Sequence, residues 1–310
     1  MSKILVTGGA GFIGSNLVDS LINLGHQVFI IDNFYSGKAE YVNKAATFYE
    51  IDICDKKVEA IFAAEKFDYV YHLTAQIDVR KSVIDPEFDN KINILGSLNV
   101  LKNCCKYDVR KIIFASSGGA IYGFPEEIPT KESYPTYPVS PYGINKLSFE
   151  KYLNYCYRVF NQRYVALRLA NAYGPRQYKG GEAGVVSIFI DNAVSGKKSF
   201  IYGDGLQTRD FVYVDDIIRA FIAALNDEIV GEFNIGSGVE KNLIDVVSAI
   251  ENALDQKIEI EYKEAKLGEE LRSCLDSSLA QRVLNWQPQI GLEEGIKRTI
   301  EWSKNKQQKI

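Results

Sequence analysis

The sequence predicts an α/β fold: a doubly wound parallel sheet followed by a smaller, mixed α/β C-terminal substrate domain. Three observations carry this. Short apolar runs alternate with longer amphipathic segments through the first 170 residues, a glycine-rich turn joins the first run to the first amphipathic segment, and the rhythm changes after about Asn171. A chain of 310 residues can bury the core of one large domain, or of a nucleotide domain with a smaller partner.

In chain order the candidate strands are Ile4–Thr7, Gln27–Asp32, Thr47–Asp52, Tyr69–Thr74, Lys111–Ser116 and Tyr164–Leu169. Each is short, rich in Val, Ile and aromatics, and bounded by a longer periodic segment, as buried parallel strands are. The helical segments between them include Ile13–Leu24, Lys56–Glu65, Phe88–Lys106 and Pro141–Phe160. Beyond Asn171, Gly174-Pro175 and Gly180-Gly181 mark loops. Two strand-like pieces, Phe200–Tyr202 and Asp210–Val214, then flank the turn-forming Gly203-Asp204-Gly205. The expected division is 1–172 for the nucleotide domain and 173–310 for the substrate domain. The segment around 207–236 is a candidate to return to the first, with Phe233–Ile235 as the returning strand. A cleft between the two parts is the expected ligand site.

Composition excludes several functions. Apolar residues make up 46% and charged residues 25%, and the net charge is −4, so nothing electrostatic favours a nucleic-acid partner. No apolar run approaches the ~18 residues of a membrane span, and Lys3–Thr7 already reads as strand, so neither membrane insertion nor a signal peptide is expected. Cys54, Cys104, Cys105, Cys156 and Cys274 lack zinc-like or CxxC spacing and are expected to be reduced, structural thiols of a cytoplasmic protein. His26 and His72, isolated from acids and cysteines, make a poor metal site and are expected to be structural. The tyrosine-rich Tyr152–Tyr157 suits core or subunit contact better than base stacking.

The N-terminal run Ile4–Thr7 leads into Gly8-Gly9-Ala10-Gly11-Phe12-Ile13-Gly14, with glycines spaced GxxGxxG between a strand and a helix. This Rossmann fingerprint needs glycine for a tight turn, for close approach of backbone to a pyrophosphate, and for helix–strand packing, while the helix N-terminus offers free N–H groups. Asp32 ends the second strand, where a carboxylate accepts from ribose hydroxyls and repels a 2′-phosphate. No Arg or Lys occurs in the five residues after it, which favours NAD over NADP. Asp52 and Ile53 are candidate adenine contacts, with a plain strand-end acid as the alternative. Phe12, Ile13, Asn33 and Leu73 are candidates to line the same site.

Ser140-Pro141-Tyr142-Gly143-Ile144-Asn145-Lys146 begins a helix, with Ser140 as N-cap and Pro141 at the first position. Tyr142 and Lys146 then share one face. Ionising a phenol near neutral pH costs ~4 kcal/mol, which a neighbouring ammonium, the helix N-terminus and oxidised nicotinamide can together supply. Tyr142 is thus a candidate general base. The spacing alone also fits a surface pair; its place after the fifth strand favours the catalytic reading.

With these residues in view, the sequence resembles the extended short-chain dehydrogenase/reductase family, and within it the UDP-glucose 4-epimerases. The resemblance rests on TGGAGFIG at Thr7–Gly14, Asp32, SSGGAIYG at Ser116–Gly123 and YGINK at Tyr142–Lys146, then RLANAYGPRQ at Arg168–Gln177, GDGLQTRDFVYVDD at Gly203–Asp216 and NIGSG at Asn234–Gly238. It implies a tightly held NAD, C4 oxidation of a UDP-hexose to a 4-keto sugar, rotation, and hydride return to the other face. It assigns Tyr142 as the base and Lys146 to the nicotinamide ribose. It also implies a homodimer through a four-helix interface of the helices containing Asn90–Lys106 and Tyr142–Phe160.

Two departures from the family pattern matter. The usual catalytic hydroxyl position holds Gly118, so either Ser117, through a shifted backbone, or a water takes the role, with Ser117 the expected substitute. Gly119 and Ala120 stand where dehydratases carry an Asp-Glu pair and decarboxylases a Glu, so the acid for dehydration is missing. The resemblance further places Asn171 and Arg209 on the UDP moiety, an arginine suiting a pyrophosphate. Glu269 falls in the family's RPG(D/E) element, whose arginine is replaced by Lys266, so phosphate contact is expected either to be weaker there or to pass to Arg272. Ser273 falls at the sugar-pocket gate, where a small residue admits an N-acetyl group and predicts turnover of UDP-GlcNAc and UDP-GalNAc. The alternatives are a UDP-glucuronic acid 4-epimerase and a non-catalytic NAD(H)-binding protein on the same fold.

Overall fold

The computed structural model describes residues 1–177, 184–265 and 271–307. Along the chain, β1 (Lys3–Thr7), α1 (Phe12–Asn23), β2 (Gln27–Asp32), β3 (Thr47–Glu50), α2 (Val58–Glu65) and β4 (Tyr69–His72) come first. Next are α3 (Val79–Ile84), α4 (Pro86–Asn90), a π-helical turn (Lys91–Gly96) and α5 (Ser97–Lys106). Then follow β5 (Lys111–Ser117), the one-turn α6 (Gly118–Ile121), α7 (Pro141–Phe160), β6 (Arg163–Leu169), β7 (Asn171–Tyr173) and α8 (Val185–Val194). The remainder holds β8 (Ser199–Tyr202), β9 (Thr208–Tyr213), α9 (Val214–Ala223), β10 (Gly231–Ile235), β11 (Glu240–Asn242) and β12 (Ile260–Lys263). Three further helices, Leu243–Leu254, Ser278–Leu284 and Leu292–Gln307, complete it.

Seven strands form one sheet in the order β10-β6-β5-β4-β1-β2-β3, and every pair in it is parallel. The winding reverses between β1 and β4, and ligands of such sheets sit at the carboxyl ends of the strands at that point. Successive residues of each strand face opposite sides. Ile4, Val6 and Ile30 therefore pack with Leu17 and Leu21 of α1, whereas Leu5, Phe29 and Ile31 pack with Phe62 of α2 and Val100 of α5. Both faces are covered by helices, which explains why the strands read as continuous apolar runs.

β10 lies at the sheet edge, its residues Gly231–Ile235 in register with Val165–Leu169 of β6. β9 stays outside the main sheet, parallel to β7 and antiparallel to β11. The two strand-like pieces around Gly203-Asp204-Gly205 do not pair with each other, because β8 pairs with β12. Asp210 of β9 is meanwhile buried and accepts from the Ser237, Gly238 and Leu275 N–H groups. The stretch Phe88–Lys106 also differs from one regular helix, since a π-helical turn interrupts it at Lys91–Gly96.

Candidate active site

β1 delivers its chain end into the glycine turn, which closes through a 3.1 Å bond from the Gly11 N–H to the Gly8 carbonyl. Gly8 has φ +73°, and a Cβ there would lie 2.8 Å from the Thr74 nitrogen. A Cβ on Gly14 would lie 2.1 Å from the Gly8 carbonyl oxygen, so the helix could not pack on the turn. Gly11 precedes α1 without a side-chain cap, leaving the first N–H groups of the helix open to an anion. Asp32 is buried and accepts from the Ala10 N–H at 3.0 Å and the Phe34 N–H at 2.8 Å. Burial raises its carboxyl above the ordinary range, and these backbone bonds oppose the rise. Its oxygens keep lone pairs for further donors. Asn33 donates to Asp52 at 2.9 Å, and Asp52 accepts from the Cys54 N–H, which fixes the outer wall.

These groups line a cleft of about 310 Å³ at the switch point. Gly8, Gly11, Phe12, Ile13, Gly14, Asp32, Asn33, Asp52, Ile53, Leu73, Tyr142 and Lys146 all line it. Ser36, Thr74, Gln76, Phe88 and Ile92 also line it and had no signal in the sequence pattern, since each lies in a loop or helix without a motif. Thr74 Oγ1 is buried without a protein partner. The glycine cradle, the uncapped helix and this orphaned hydroxyl fit a bound dinucleotide.

α7 positions the candidate acid–base pair. Ser140 Oγ accepts from the Gly143 N–H at 3.1 Å, and Pro141 opens the helix. The Tyr142 N–H donates to Ser82 Oγ at 3.2 Å. One turn on, the buried Lys146 Nζ donates to the Ala115 carbonyl at 2.9 Å, 4.6 Å from the Phe114 ring centroid and 5.7 Å from that of Tyr142. Burial brings the Lys146 ammonium down to about 8, against the pull of Asp89 and Glu150.

A second cavity of about 280 Å³ adjoins the first, and Ser117, Tyr142, Ile77 and Ala170 line both. Ser117 thus stands beside Tyr142 at the junction, at the end of β5. A Cβ on Gly118 would lie 2.4 Å from Leu275 Cδ1, so the neighbouring position is filled by the C-terminal segment. Gly119, Ala120, Asn171 and Arg209 line the second cavity, and Gly119 and Ala120 bring no acid to it. Arg209 donates to the Thr208 carbonyl, while Asp210 is occupied by the backbone of the Ser237–Gly238 and Leu275 segments.

Two predicted contacts, Arg272 and Ser273, line neither cavity. Arg272 forms a two-point ion pair with Glu240, at 2.9 and 2.5 Å. Ser273 is buried, its N–H donating to the Thr208 carbonyl at 3.3 Å, and it lines neither cavity. Glu269, with Lys266, lies outside the described residues. His72 is buried between Thr7 Oγ1 and Ser97 Oγ, at 2.8 Å each, a packing role. No group of three or more metal-ligating side chains occurs among the described residues.

Comparison with known proteins agrees with this geometry. A family model described as the NAD dependent epimerase/dehydratase family matches residues 4–236. A UDP-glucose 4-epimerase of Mycolicibacterium smegmatis is 42% identical over 99% of this chain and 100% of its own. A crystal structure of a UDP-glucose 4-epimerase with UDP-glucose, from Thermotoga maritima, superposes with a TM-score of 0.95 at 44% identity, covering 98% of this chain and 99% of that one. A UDP-N-acetylglucosamine 4-epimerase from Methanobrevibacter ruminantium, in complex with UDP-N-acetylmuramic acid, gives 0.94 at 35% identity over 98% and 99%.

Proposed function

The chain belongs to the NAD dependent epimerase/dehydratase family, and on that premise we propose that it is a UDP-glucose 4-epimerase that interconverts UDP-glucose and UDP-galactose. The observation that carries the reading is the junction of the two cavities. There Ser117 and Tyr142 stand between a dinucleotide cradle and a pocket with Arg209 and Asn171 but no acid at Gly119 or Ala120.

NAD, when bound, supplies a reversible hydride acceptor. The Gly8–Gly14 turn and the α1 N-terminus hold its pyrophosphate, Asp32 its adenosine ribose, and Lys146 its nicotinamide ribose. Tyr142 takes the proton from the C4 hydroxyl as the sugar is oxidised, and gives it back after the 4-keto sugar has turned over. Ser117 hydrogen-bonds the C4 oxygen through both steps. Arg209 and Asn171 hold the UDP moiety, so the hexose can rotate while its anchor stays fixed. Glu269, Arg272 and Ser273 are assigned to the phosphates and the sugar gate. The likeness to a UDP-N-acetylglucosamine 4-epimerase supports acceptance of the N-acetylated UDP-hexoses.

The proposed protein is a cytoplasmic homodimer, with 1–172 as the cofactor domain, 173–310 as the substrate domain, and β10 crossing back. No described helix is long and apolar enough to cross a membrane, and all five cysteines are free thiols. The deciding experiment incubates the purified chain with UDP-galactose and no added nicotinamide. Formation of UDP-glucose is expected; a strict need for external NAD in each turnover, or turnover of the UDP-uronic acid alone, would overturn the reading.

A further inference from the structure

The charges of two buried carboxylates, Asp89 and Glu150, act on Lys146 without either forming an ion pair with it, and their surroundings differ. Glu150, one turn further along α7, is fully buried but ion-paired to Arg168 at 2.7 Å, with a second Arg168 bond at 3.1 Å and Ser116 Oγ at 2.5 Å. Its charge is already balanced. Asp89 on α4 is also fully buried, yet its side-chain partners among the described residues are neutral amides. Gln76 Nε2 donates to it at 2.8 Å, Asn93 Nδ2 at 3.0 Å and Asn145 Nδ2 at 2.6 Å.

These three amides come from three places that build the site. Gln76 is on the cleft wall after β4, Asn93 in the π-helical turn, and Asn145 is the residue before Lys146. Asn93 also holds the Gln76 backbone at both ends, accepting from its N–H and donating to its carbonyl at 2.9 Å each. Amides can solvate a carboxylate but cannot cancel its charge, and an isolated buried charge is costly. The remaining groups facing Lys146 do not cancel it either. His72 from β4 is held neutral by burial, Tyr142 shares the helix, Arg168 from β6 is committed to Glu150, and β5 offers only the Phe114 ring and the Ala115 carbonyl.

We propose that Asp89 is the counter-charge of Lys146, a positioning residue that keeps the ammonium charged and thereby keeps the Tyr142 phenolate available at neutral pH. The proposal rests on the reading of Tyr142 and Lys146 as the acid–base pair. The pair can hold two, one or no protons, and only the one-proton form with ammonium and phenolate serves as base. An anion beside the pair raises both steps, so its removal lowers both. Asp89 bonds the side chain next to Lys146, so its loss also tips the one-proton form toward amine and phenol.

The test is Asp89→Asn in the NAD-loaded enzyme, read by the pH profile of kcat and by the near-ultraviolet absorbance of the phenolate without any sugar nucleotide. Both limbs of the profile should move down by about one pH unit, with kcat and the phenolate amplitude at neutral pH falling on the order of tenfold. Asn145→Ala breaks the shortest of the three bonds but keeps the charge, and its limbs should stay at the wild-type pH. Should Asp89→Asn fail to fold, Asp89→Leu/Asn145→Leu removes charge and donor together and should show the same downward shift. Wild-type limbs and amplitude in the charge-deleted variants, or an equal shift in Asn145→Ala, would overturn the proposal while leaving Tyr142 as the base. A Tyr142→Phe enzyme of wild-type rate would instead undo the underlying reading.

Discussion

Tyr142 needs help to act near neutral pH, because an ordinary phenol loses its proton only near pH 10. The structure places it in the first turn of α7, with the Lys146 Nζ 5.7 Å from its ring centroid. Tyr142→Phe removes the base while keeping the ring that lines the cleft. Turnover should fall by 10²-fold or more with NAD still bound, measured by steady-state rate and by cofactor content after gel filtration. His72 illustrates the opposite use of burial. Its imidazole is pushed down to about 3, first by desolvation and then by the Lys146 charge. The unfolded chain takes up this proton near pH 6.5 and the native state only near pH 3, so stability is lost as pH falls through that window. By pH 5 the loss should be about 2 kcal/mol relative to pH 7, read from urea midpoints, and His72→Gln should not show it.

Between elements, the most consequential contact is the ion pair of Arg168 on β6 with Glu150 on α7. Arg168 also donates to the Tyr122 hydroxyl, which donates to Asn234 on β10. One guanidinium thus ties α7 to the sheet and to the returning edge strand. Arg168→Met should destabilise by ~3–5 kcal/mol in chemical denaturation, because it strands a buried carboxylate rather than because the pair is strongly stabilising. Adding Glu150→Leu should recover most of that loss; no recovery would mean that the network, not the unpaired charge, is what matters.

Across the whole molecule, the cavity junction brings cofactor and substrate halves together, and specificity belongs to that scale. Ser273 enters through its place in the C-terminal segment, which already reaches Gly118 through Leu275. Comparing kcat/KM for UDP-glucose and UDP-N-acetylglucosamine should show turnover of both; undetectable turnover of the N-acetyl sugar would remove the open gate. The proposed dimer has a surface to match. Leu95, Tyr152, Tyr155, Val159 and Phe160 are exposed on the π-helical turn and α7, an apolar patch that association would cover. Sedimentation should give twice the chain mass, and Val159→Glu should give the monomer.

The sequence by itself determined the parallel sheet, the glycine cradle with Asp32, and the Tyr142–Lys146 face, because each depends on local periodicity or on steric needs that only particular residues meet. Gly8 and Gly14 are legible for this reason: no side chain fits where they lie. The place at Gly118 was half legible, since the motif pointed to a missing hydroxyl there and only the packing of Leu275 shows why that place is closed. Asp89, Gln76, Asn93 and Asn145 carried no signal. They are dispersed polar residues whose meaning is a shared burial, and burial is a property of distant segments meeting. The pairing of β8 with β12 and the commitment of Arg272 to Glu240 were tertiary decisions too. In each case the partner lies tens of residues away, where no local pattern reaches and only the folded chain sets the distance.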